Sequence, residues 1–292
     1  MPHDGRRPLR SSLFFTGFFA ISSLAAAPDP GAAQLSAAPV SGQVHVLQGP
    51  GGNIALNIGA DGVLMVDTQF APLADEIEAK IHELGGTRPA FVINTHWHAD
   101  HSGGNERFTG TAVLIAHDNV FKRLADPAAD RVPAALPTLT YQQSMTLHYN
   151  GEDIRLLHLA ASHTDGDTAV WFTGSNVVHL GDTYINRAFP FVDTENGGTL
   201  EGLLRNADEV LALLPDDVTI IPGHGPVSNK ADFQSWVADV RESIDFVRGE
   251  QAAGKDLQSI IDTGLPAKYA SWSERFVKEP TWITTIYNSP TP

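Results

Sequence analysis

The 292-residue sequence contains no cysteine. Disulfide bonds, thiolate metal sites, iron–sulfur clusters, cysteine nucleophiles and thioether lipid anchors are therefore excluded. Basic residues are also scarce, because 19 lysines and arginines face 34 aspartates and glutamates and leave a formal net charge of −15. Binding to a phosphate backbone needs clustered lysine and arginine, so this composition argues against nucleic acid as a partner.

Apolar residues, by contrast, are plentiful. Hydrophobic residues make up 42% of the chain and charged residues 18%. Such a composition excludes a disordered chain, and the length provides enough apolar material for a substantial core. Histidine is abundant as well, with 12 residues, and their positions carry most of the functional argument.

A long apolar run occurs near the N-terminus, at residues 13–27, after Arg6, Arg7 and Arg10. At about fifteen residues it is shorter than the ~20 that span a bilayer. A basic start, an apolar centre and an alanine-rich end predict a cleaved secretory signal over residues 1–27, with an uncleaved anchor as the alternative. We therefore expect a periplasmic or secreted protein with no stable membrane anchor.

Residues 28–41 are rich in alanine, proline, glycine and serine, which predicts a disordered leader. Residues 42–292 contain no linker and are predicted to form one domain. Two hairpin turns are indicated, at Asp61-Gly62 between strands 53–58 and 63–66, and at Asn150-Gly151 between strands 144–149 and 153–159.

Helices and buried strands alternate along the rest of the chain. Apolar residues at helical spacing predict helices over 72–84, 200–214 and 233–247. Continuous apolar runs predict strands over 90–94, 112–116, 168–172, 177–180 and 218–221. Two similar halves of this kind predict an α/β fold in which two sheets pack together with helices outside.

A dense group of potential metal ligands, in the sequence HWHADH, follows strand 90–94 directly. It contains His96, His98, Asp100 and His101. Imidazole and carboxylate together suit zinc, and also iron or manganese. Three more candidates, His163, Asp182 and His224, each follow a later predicted strand. Functional loops gather at the carboxyl ends of strands, so we expect these side chains to meet at one edge of a sheet.

These motifs, in this order, resemble the metallo-β-lactamase fold superfamily. The resemblance implies an αββα sandwich, that is, two mixed β-sheets flanked by helices, with a dinuclear metal site at the edge between the sheets. Its implied ligands are His96, His98 and His163 for the first metal, Asp100, His101 and His224 for the second, and Asp182 as a bridge. Asp67 matches a supporting aspartate of the family, with a helix cap or turn residue as the alternative.

The resemblance also implies a chemistry. Two Zn²⁺ ions per chain would share a hydroxide that attacks a small-molecule carbonyl substrate, and Asp100 would orient that hydroxide as a catalytic residue. The leading interpretation is a periplasmic, β-lactamase-like hydrolase that cleaves β-lactams. A lactonase or esterase is the alternative, followed by a mono-iron persulfide dioxygenase and a non-catalytic zinc-binding accessory protein. β-Lactamases of the cysteine-ligand subclass have cysteine where this chain has Asp182, which argues against efficient β-lactam hydrolysis.

Substrate contacts are expected from two loops, residues 48–53, which are glycine-rich and predicted to be mobile, and residues 184–198. The second loop offers Tyr184, Phe189 and Phe191 as apolar walls. No equivalent of the helical C-terminal region of glyoxalase II thioesterases is evident after residue 250. The oligomeric state is left open. Three histidines near the site strands are candidates for a supporting role: His117, His158 and His179.

Overall fold

Two mixed β-sheets form the centre of the protein in the computed structural model, which describes residues 35–290. The strands of the first sheet lie side by side in chain order: β1 Ser36–Ser41, β2 Val44–Gln48, β3 Ile54–Gly59, β4 Gly62–Val66, β5 Phe91–Ile93, β6 Val113–His117 and β7 Leu139–Tyr141. Neighbouring strands are antiparallel from β1 to β4 and parallel from β4 to β7. The predicted αββα sandwich is confirmed.

The second sheet has the spatial order β13-β12-β11-β10-β9-β8. Its strands are β8 Ser144–Tyr149, β9 Glu152–Leu159, β10 Asp167–Phe172, β11 Val177–His179, β12 Thr219–Ile221 and β13 Ser228–Asn229. Only the β11–β12 pair is parallel in this sheet, within the part of the chain that the structure describes. That pairing aligns the carboxyl ends of two strands that precede candidate ligands.

Helices cover the outer faces of both sheets. Their bounds are α1 Ala74–Glu83, α2 Ala99–Ser102, α3 Asn105–Phe108, α4 Asp118–Leu124, α5 Leu200–Leu213, α6 Lys230–Ala252, α7 Leu257–Thr263 and α8 Glu279–Asn288. Among residues 35–290, no helix has the length and apolarity needed to cross a membrane.

The core has an inner layer and two outer layers. Between the sheets, β4 and β5 of the first pack against β9 and β10 of the second through Val66, Ile93, Leu156 and Val170. The outer face of the first sheet packs on α1, and the outer face of the second packs on α5, α6 and α8. Central strands are therefore apolar on both faces, which explains why continuous apolar runs rather than alternating patterns predicted them.

Both predicted hairpin turns form, and they contact each other across the two sheets. The β3–β4 pairing ends at Gly59 and Gly62, so that Asp61 lies in the turn. Asn150 and Gly151 connect β8 to β9 with φ of 52° and 76°, the left-handed values that a two-residue hairpin requires. Asp61 N donates to Asn150 Oδ1 and Asn150 N donates to Asp61 Oδ2, at 2.8 and 2.7 Å. These reciprocal hydrogen bonds join one end of the two sheets.

Two predictions are wrong in part. Residues 36–41 are not a disordered leader, because Ser36–Ser41 pairs with β2 along the edge of the first sheet. The strand is mostly exposed, so its backbone hydrogen bonds stabilise it and its side chains carry no apolar signal. Residues 28–34 and the predicted signal 1–27 lie outside the described residues. Beyond residue 250 the chain is helical after all, since α7 and α8 pack on α6 through Ile260, Trp282 and Ile286.

Candidate metal centre

All seven predicted metal ligands lie together where strands of both sheets end. His96 and His98 follow β5, and Asp100 and His101 are in the short helix α2 directly after them. The second sheet contributes the other three residues from the loops after β9, β11 and β12, respectively His163, Asp182 and His224. The expectation that strand ends would gather these side chains at one edge therefore agrees with the geometry.

The nitrogen and oxygen atoms form two adjoining groups, and a third set, His96, His101 and Asp182, overlaps both. In the first, one ligand atom each from His96, His98 and His163 lies within 4.8 Å of the others, and the same limit holds for Asp100, His101 and His224 in the second. His163 Nε2 lies 2.9 Å from His98 Nδ1, so these two atoms face one point.

Asp182 lies between the two groups. Its Oδ1 is 3.1 Å from His101 Nε2, and its Oδ2 is 3.8 Å from His163 Nε2. Gly223 makes this approach possible, because a Cβ at that position would lie 2.0 Å from Asp182 Oδ1. The carboxylate thus reaches both groups, as a bridging ligand must.

Buried atoms without partners indicate that a cation belongs here. Six buried side-chain nitrogen and oxygen atoms among residues 35–290 form no hydrogen bond, and two of the six are His96 Nε2 and Asp182 Oδ1. Leaving such atoms unpaired is costly, by about 1–3 kcal/mol each. Both belong to the ligand groups, and a nitrogen and oxygen donor set with no sulfur fits zinc, iron or manganese.

Burial controls the ionisation of the first group. It lowers the pKa of His96 well below its usual value, and the neighbouring His101 and His163 lower it further. Burial also lowers the pKa of His163 to about 4. Both imidazoles are therefore neutral at pH 7, the form in which histidine binds a metal.

Carboxylates control the second group. Burial on its own would lower the pKa of His224, but Asp182 and Asp100 raise it to about 9. Burial likewise opposes ionisation of Asp182, yet His224 and His101 hold its pKa well below the usual value. The carboxylates in this group therefore remain ionised at neutral pH and attract positive charge.

Asp67 supports the second group, where the family resemblance implied it. Its Oδ2 accepts a hydrogen bond from His101 Nδ1 at 2.7 Å, and its Oδ1 accepts one from Thr95 N at 2.7 Å. Helix α1 begins several residues later, with Leu73 as its N-cap, so Asp67 is not a helix cap. Its backbone is left-handed, with φ of 66°, a conformation that aspartate tolerates better than most residues. This contact leaves His101 Nε2 free to face the cluster.

Asp193 plays the matching role in the first group, and it was not among the predicted site residues. Its Oδ2 accepts a hydrogen bond from His98 Nε2 at 2.9 Å. Burial on its own would raise the pKa of Asp193, but hydrogen bonds from His98 and Asn196 lower it. Asn196 is held in turn by Arg123, whose guanidinium donates to Asn196 Oδ1 at 2.7 Å and pairs with Asp165. The sequence feature that could have indicated Asp193 is the segment Asp193-Thr194-Glu195-Asn196, in which the aspartate caps a three-residue turn.

The loop at residues 184–198 also contains Phe191, which contacts the cluster in two ways. Its carbonyl oxygen accepts a hydrogen bond from His163 Nδ1 at 2.6 Å. Its ring lies with its centroid 5.9 Å from that of His98 and 5.7 Å from that of His163. Tyr184 and Phe189, predicted as further apolar walls, are wholly buried in the core under α6 and α8. Their apolar contacts lie on the side away from solvent.

The glycine-rich loop at residues 48–53 is packed against the cluster and is not an open loop. Gly52 N donates to Asp100 O at 3.1 Å, and Gln69 Nε2 donates to Gly52 O at 2.7 Å. A Cβ on Gly52 would lie 2.1 Å from His101 Cε1, so only glycine allows this approach. The glycines here serve packing around His101.

The three remaining candidate histidines form hydrogen bonds to the backbone. His117 and His158 stack with ring centroids 3.6 Å apart, and their nitrogens face the carbonyl oxygens of Gln142 and Asp167. His179 Nε2 lies 2.9 Å from the carbonyl oxygen of Asn53. These contacts are typical of structural histidines.

The fold is an αββα sandwich, and histidines and aspartates cluster where its two sheets meet. This combination defines a class of metal-binding proteins. Family comparison identifies the particular family, because the family model described as the metallo-beta-lactamase superfamily matches residues 49–224. The chain therefore belongs to the metallo-β-lactamase superfamily and has the fold of its hydrolases, as the sequence predicted.

Individual relatives are distant. A hydroxyacylglutathione hydrolase from Polaromonas sp. (strain JS666 / ATCC BAA-500) is 30% identical over 212 residues, which cover 71% of this chain and 72% of that protein. The 2,4-dinitroanisole O-demethylase subunit alpha from Nocardioides sp. (strain JS1661) is 26% identical over 77% of this chain and 68% of its own. Among solved structures, a metallo-beta-lactamase from Pontibacter korlensis superposes with a TM-score of 0.63, covering 71% of this chain and 99% of that one at 16% identity.

Replacing Asp193 with asparagine should weaken metal binding by about 10–100-fold, the usual effect of losing a partner that orients a ligand histidine. The amide cannot accept the His98 Nε2 hydrogen bond as a carboxylate does. The measurement is competition for zinc against a chromogenic chelator. Asp153→Asn is the matched control, because Asp153 accepts the same kind of hydrogen bond from His148 at 2.7 Å on the exposed surface. Equal zinc affinity in Asp193→Asn and the unmodified protein would contradict this assignment.

Proposed function

We propose that the protein is a zinc-dependent hydrolase that binds two zinc ions and cleaves a small carbonyl substrate. The observation that carries the proposal is the position of Asp182, whose two oxygens reach both ligand groups. A carboxylate shared in this way is the arrangement that a dinuclear site needs. Membership of the metallo-β-lactamase superfamily supports hydrolysis as the reaction class.

The donor atoms divide naturally between two ions. The proposed ligands are His96, His98 and His163 for the first, Asp100, His101 and His224 for the second, and Asp182 for both. When bound, zinc would supply a nucleophile from water at neutral pH and polarise the substrate carbonyl, which suits a chain without cysteine.

Asp100 is the proposed catalytic residue because it is the carboxylate on the open side of the cluster. Its side chain is 31% exposed, whereas that of Asp182 is 8% exposed. Burial on its own would raise the pKa of Asp100, but His101 and His224 lower it to about 2. An ionised, partly exposed carboxylate can accept a hydrogen bond from the attacking water and orient it toward the substrate.

The substrate we propose is an ester, thioester or lactone, with β-lactam hydrolysis as a slower activity. The negative charge of Asp182 in the centre of the site reduces the positive charge available to polarise a carbonyl or stabilise a departing amide nitrogen. An ester or thioester needs less such help, because its leaving group is a weaker base. The likeness to a hydroxyacylglutathione hydrolase and the helices α7 and α8 also favour this class.

A substrate panel on zinc-loaded protein tests the proposal. We expect aryl ester, thioester or lactone hydrolysis that a chelator abolishes and zinc restores, with slower turnover of a chromogenic cephalosporin and a penicillin. Elemental analysis should find two zinc ions per chain. One iron and no zinc would instead indicate the persulfide dioxygenase, and two zinc ions with no turnover of any panel member would indicate the accessory protein.

Export is a separate part of the proposal, based on the arginine-rich start and the apolar run at residues 13–27. Mass spectrometry of the protein from its native compartment should find an N-terminus between residues 26 and 34. An intact Met1 in the membrane fraction would show an uncleaved anchor and contradict a periplasmic or secreted location.

A further inference from the structure

Phe276 is exposed to an unusual degree for a large apolar side chain. It is 85% exposed, the highest value for a large hydrophobic residue among those that the structure describes. The segment around it is nevertheless well anchored. Trp272 and Val277 are buried on either side, and the carboxylate of Glu279 accepts hydrogen bonds from Leu265 N and Ser273 Oγ. The fold therefore holds this ring in solvent.

The ring of Phe276 is connected to the metal centre through Phe191. Its centroid lies 6.1 Å from that of Phe191, with the two rings nearly perpendicular at 85°. Phe191 in turn contacts the rings of His98 and His163. Together, Phe191 and Phe276 form a continuous apolar surface from the ligand histidines to the solvent, which we call the aromatic wall.

We propose that the aromatic wall is the subsite for an apolar part of the substrate, an aryl or alkyl group attached to the scissile carbonyl. This inference rests on the proposed hydrolase function and adds the substrate class. A carbonyl held at the ligand cluster would place such a group beside Phe191, and its outer end would cover Phe276. Such binding removes apolar surface of both the Phe191 and Phe276 rings from water. A substrate with an aryl or alkyl group is therefore favoured over one without it.

The surroundings of Phe276 favour a small molecule over a second copy of the chain as the occupant. Glu274, Arg275 and Lys278 are charged and exposed on either side of it. Stable protein interfaces bury roughly 800 Å² per partner around an apolar centre, which one phenyl ring among charges does not provide. Continuity with the ligand cluster through Phe191 is what an extended substrate would use.

Binding of two carboxylates to the metal-containing protein tests the subsite without requiring turnover. The probes are 4-phenylbutyrate and acetate, which share the carboxylate and differ in the apolar group. We expect 4-phenylbutyrate to bind more tightly than acetate, and Phe276→Ala to raise its dissociation constant about fivefold while leaving acetate unchanged. Phe276→Leu, which keeps an apolar side chain, should restore most of the affinity.

Leu213→Ala is the matched control. Leu213 is 44% exposed at the far end of α5, about 20 Å along the helix axis from the residues that lie near His163. The Leu213→Ala substitution should leave the dissociation constants of 4-phenylbutyrate and acetate unchanged. Equal binding of the two carboxylates to the unmodified protein, or equal 4-phenylbutyrate binding in Phe276→Ala, would overturn the proposal. The proposal would also be overturned, in favour of an interface between copies, if the unmodified protein is a dimer, Phe276→Ala is a monomer, and 4-phenylbutyrate binds equally to both.

Failure of the subsite and failure of the hydrolase function give different results. If every ester stays intact while 4-phenylbutyrate binds in a Phe276-dependent way, the function is wrong and the apolar subsite stands. Suppose instead that esters are cleaved, but p-nitrophenyl acetate and p-nitrophenyl octanoate have the same KM, both in the unmodified enzyme and in Phe276→Ala. The subsite is then wrong and the function stands.

Discussion

Replacing Asp100 with asparagine should reduce turnover of the preferred substrate by more than about 100-fold, beyond the ~10–100-fold typical of residues that only orient a metal ligand. The amide keeps the shape of the carboxylate but loses the negative charge that attracts a metal and accepts a hydrogen bond from water. The stability of the metal-free protein should change little, because the side chain is partly exposed. Steady-state kinetics, thermal melting and zinc analysis of the same preparation check these expectations together.

Two controls keep that result interpretable. Asp153→Asn removes an exposed carboxylate whose oxygens contact a surface histidine far from the ligand cluster, and should leave turnover unchanged. A fall in kcat with full zinc content would show that Asp100 acts on the water or the substrate, whereas a fall that follows zinc loss would show a ligand role alone. Near-normal turnover in Asp100→Asn would exclude Asp100 as the catalytic residue.

Removing the metal should abolish hydrolysis and lower the melting temperature by about 5–10 °C. A metal present at 100 times its dissociation constant stabilises a fold by about 2.7 kcal/mol, and for a chain of this size each kcal/mol corresponds to roughly 2–4 °C. His96 Nε2 and Asp182 Oδ1 would again be buried without partners, which is the structural origin of the loss. Calorimetry before and after chelation, and after zinc is restored, measures the effect.

Acid should produce the same change as the chelator. Histidine binds a metal only through its neutral imidazole, so protons compete with zinc, and zinc affinity falls as the pH falls. Because Asp182 and Asp100 raise the pKa of His224 to about 9, this competition begins below about pH 9, and the melting temperature of the zinc-loaded protein should fall more steeply with falling pH than that of the metal-free protein. Parallel curves for the two forms, or equal melting temperatures at neutral pH, would show that no metal is bound by the folded state.

Short-range patterns predicted most of the fold. Strand β8 was predicted at residues 144–149 and occupies them, and α5 was predicted at 200–214 and spans Leu200–Leu213. Both carry a local signal, a hairpin turn after β8 and an apolar stripe along α5. The candidate ligands were predictable for a similar reason, because histidines and aspartates recur directly after apolar strands and strand ends meet at one edge.

Features that depend on long-range contacts escaped prediction. Strand β1 is stabilised by backbone pairing with β2, and its small, exposed side chains carry no signal. Asp193 meets His98 across 95 residues of chain, and a single aspartate in a polar turn looks the same whether or not a histidine faces it. The exposure of Phe276 escaped prediction as well, since sequence alone would place a phenylalanine in the core.

The segment from Phe191 to Asn196 has a consequence for how this enzyme could evolve. Within six residues it holds His163 through the Phe191 carbonyl, holds His98 through Asp193, and presents an aromatic ring at the site. Selection for a new substrate through Asp193 would therefore also act on the retention of metal, whereas the backbone carbonyl that holds His163 is present whatever side chain stands at position 191. Phe276 makes no hydrogen bond to a ligand histidine within the described chain, so its side chain can vary without that cost. Directed evolution of substrate range should accordingly accumulate changes at Phe276 and leave Asp193 untouched.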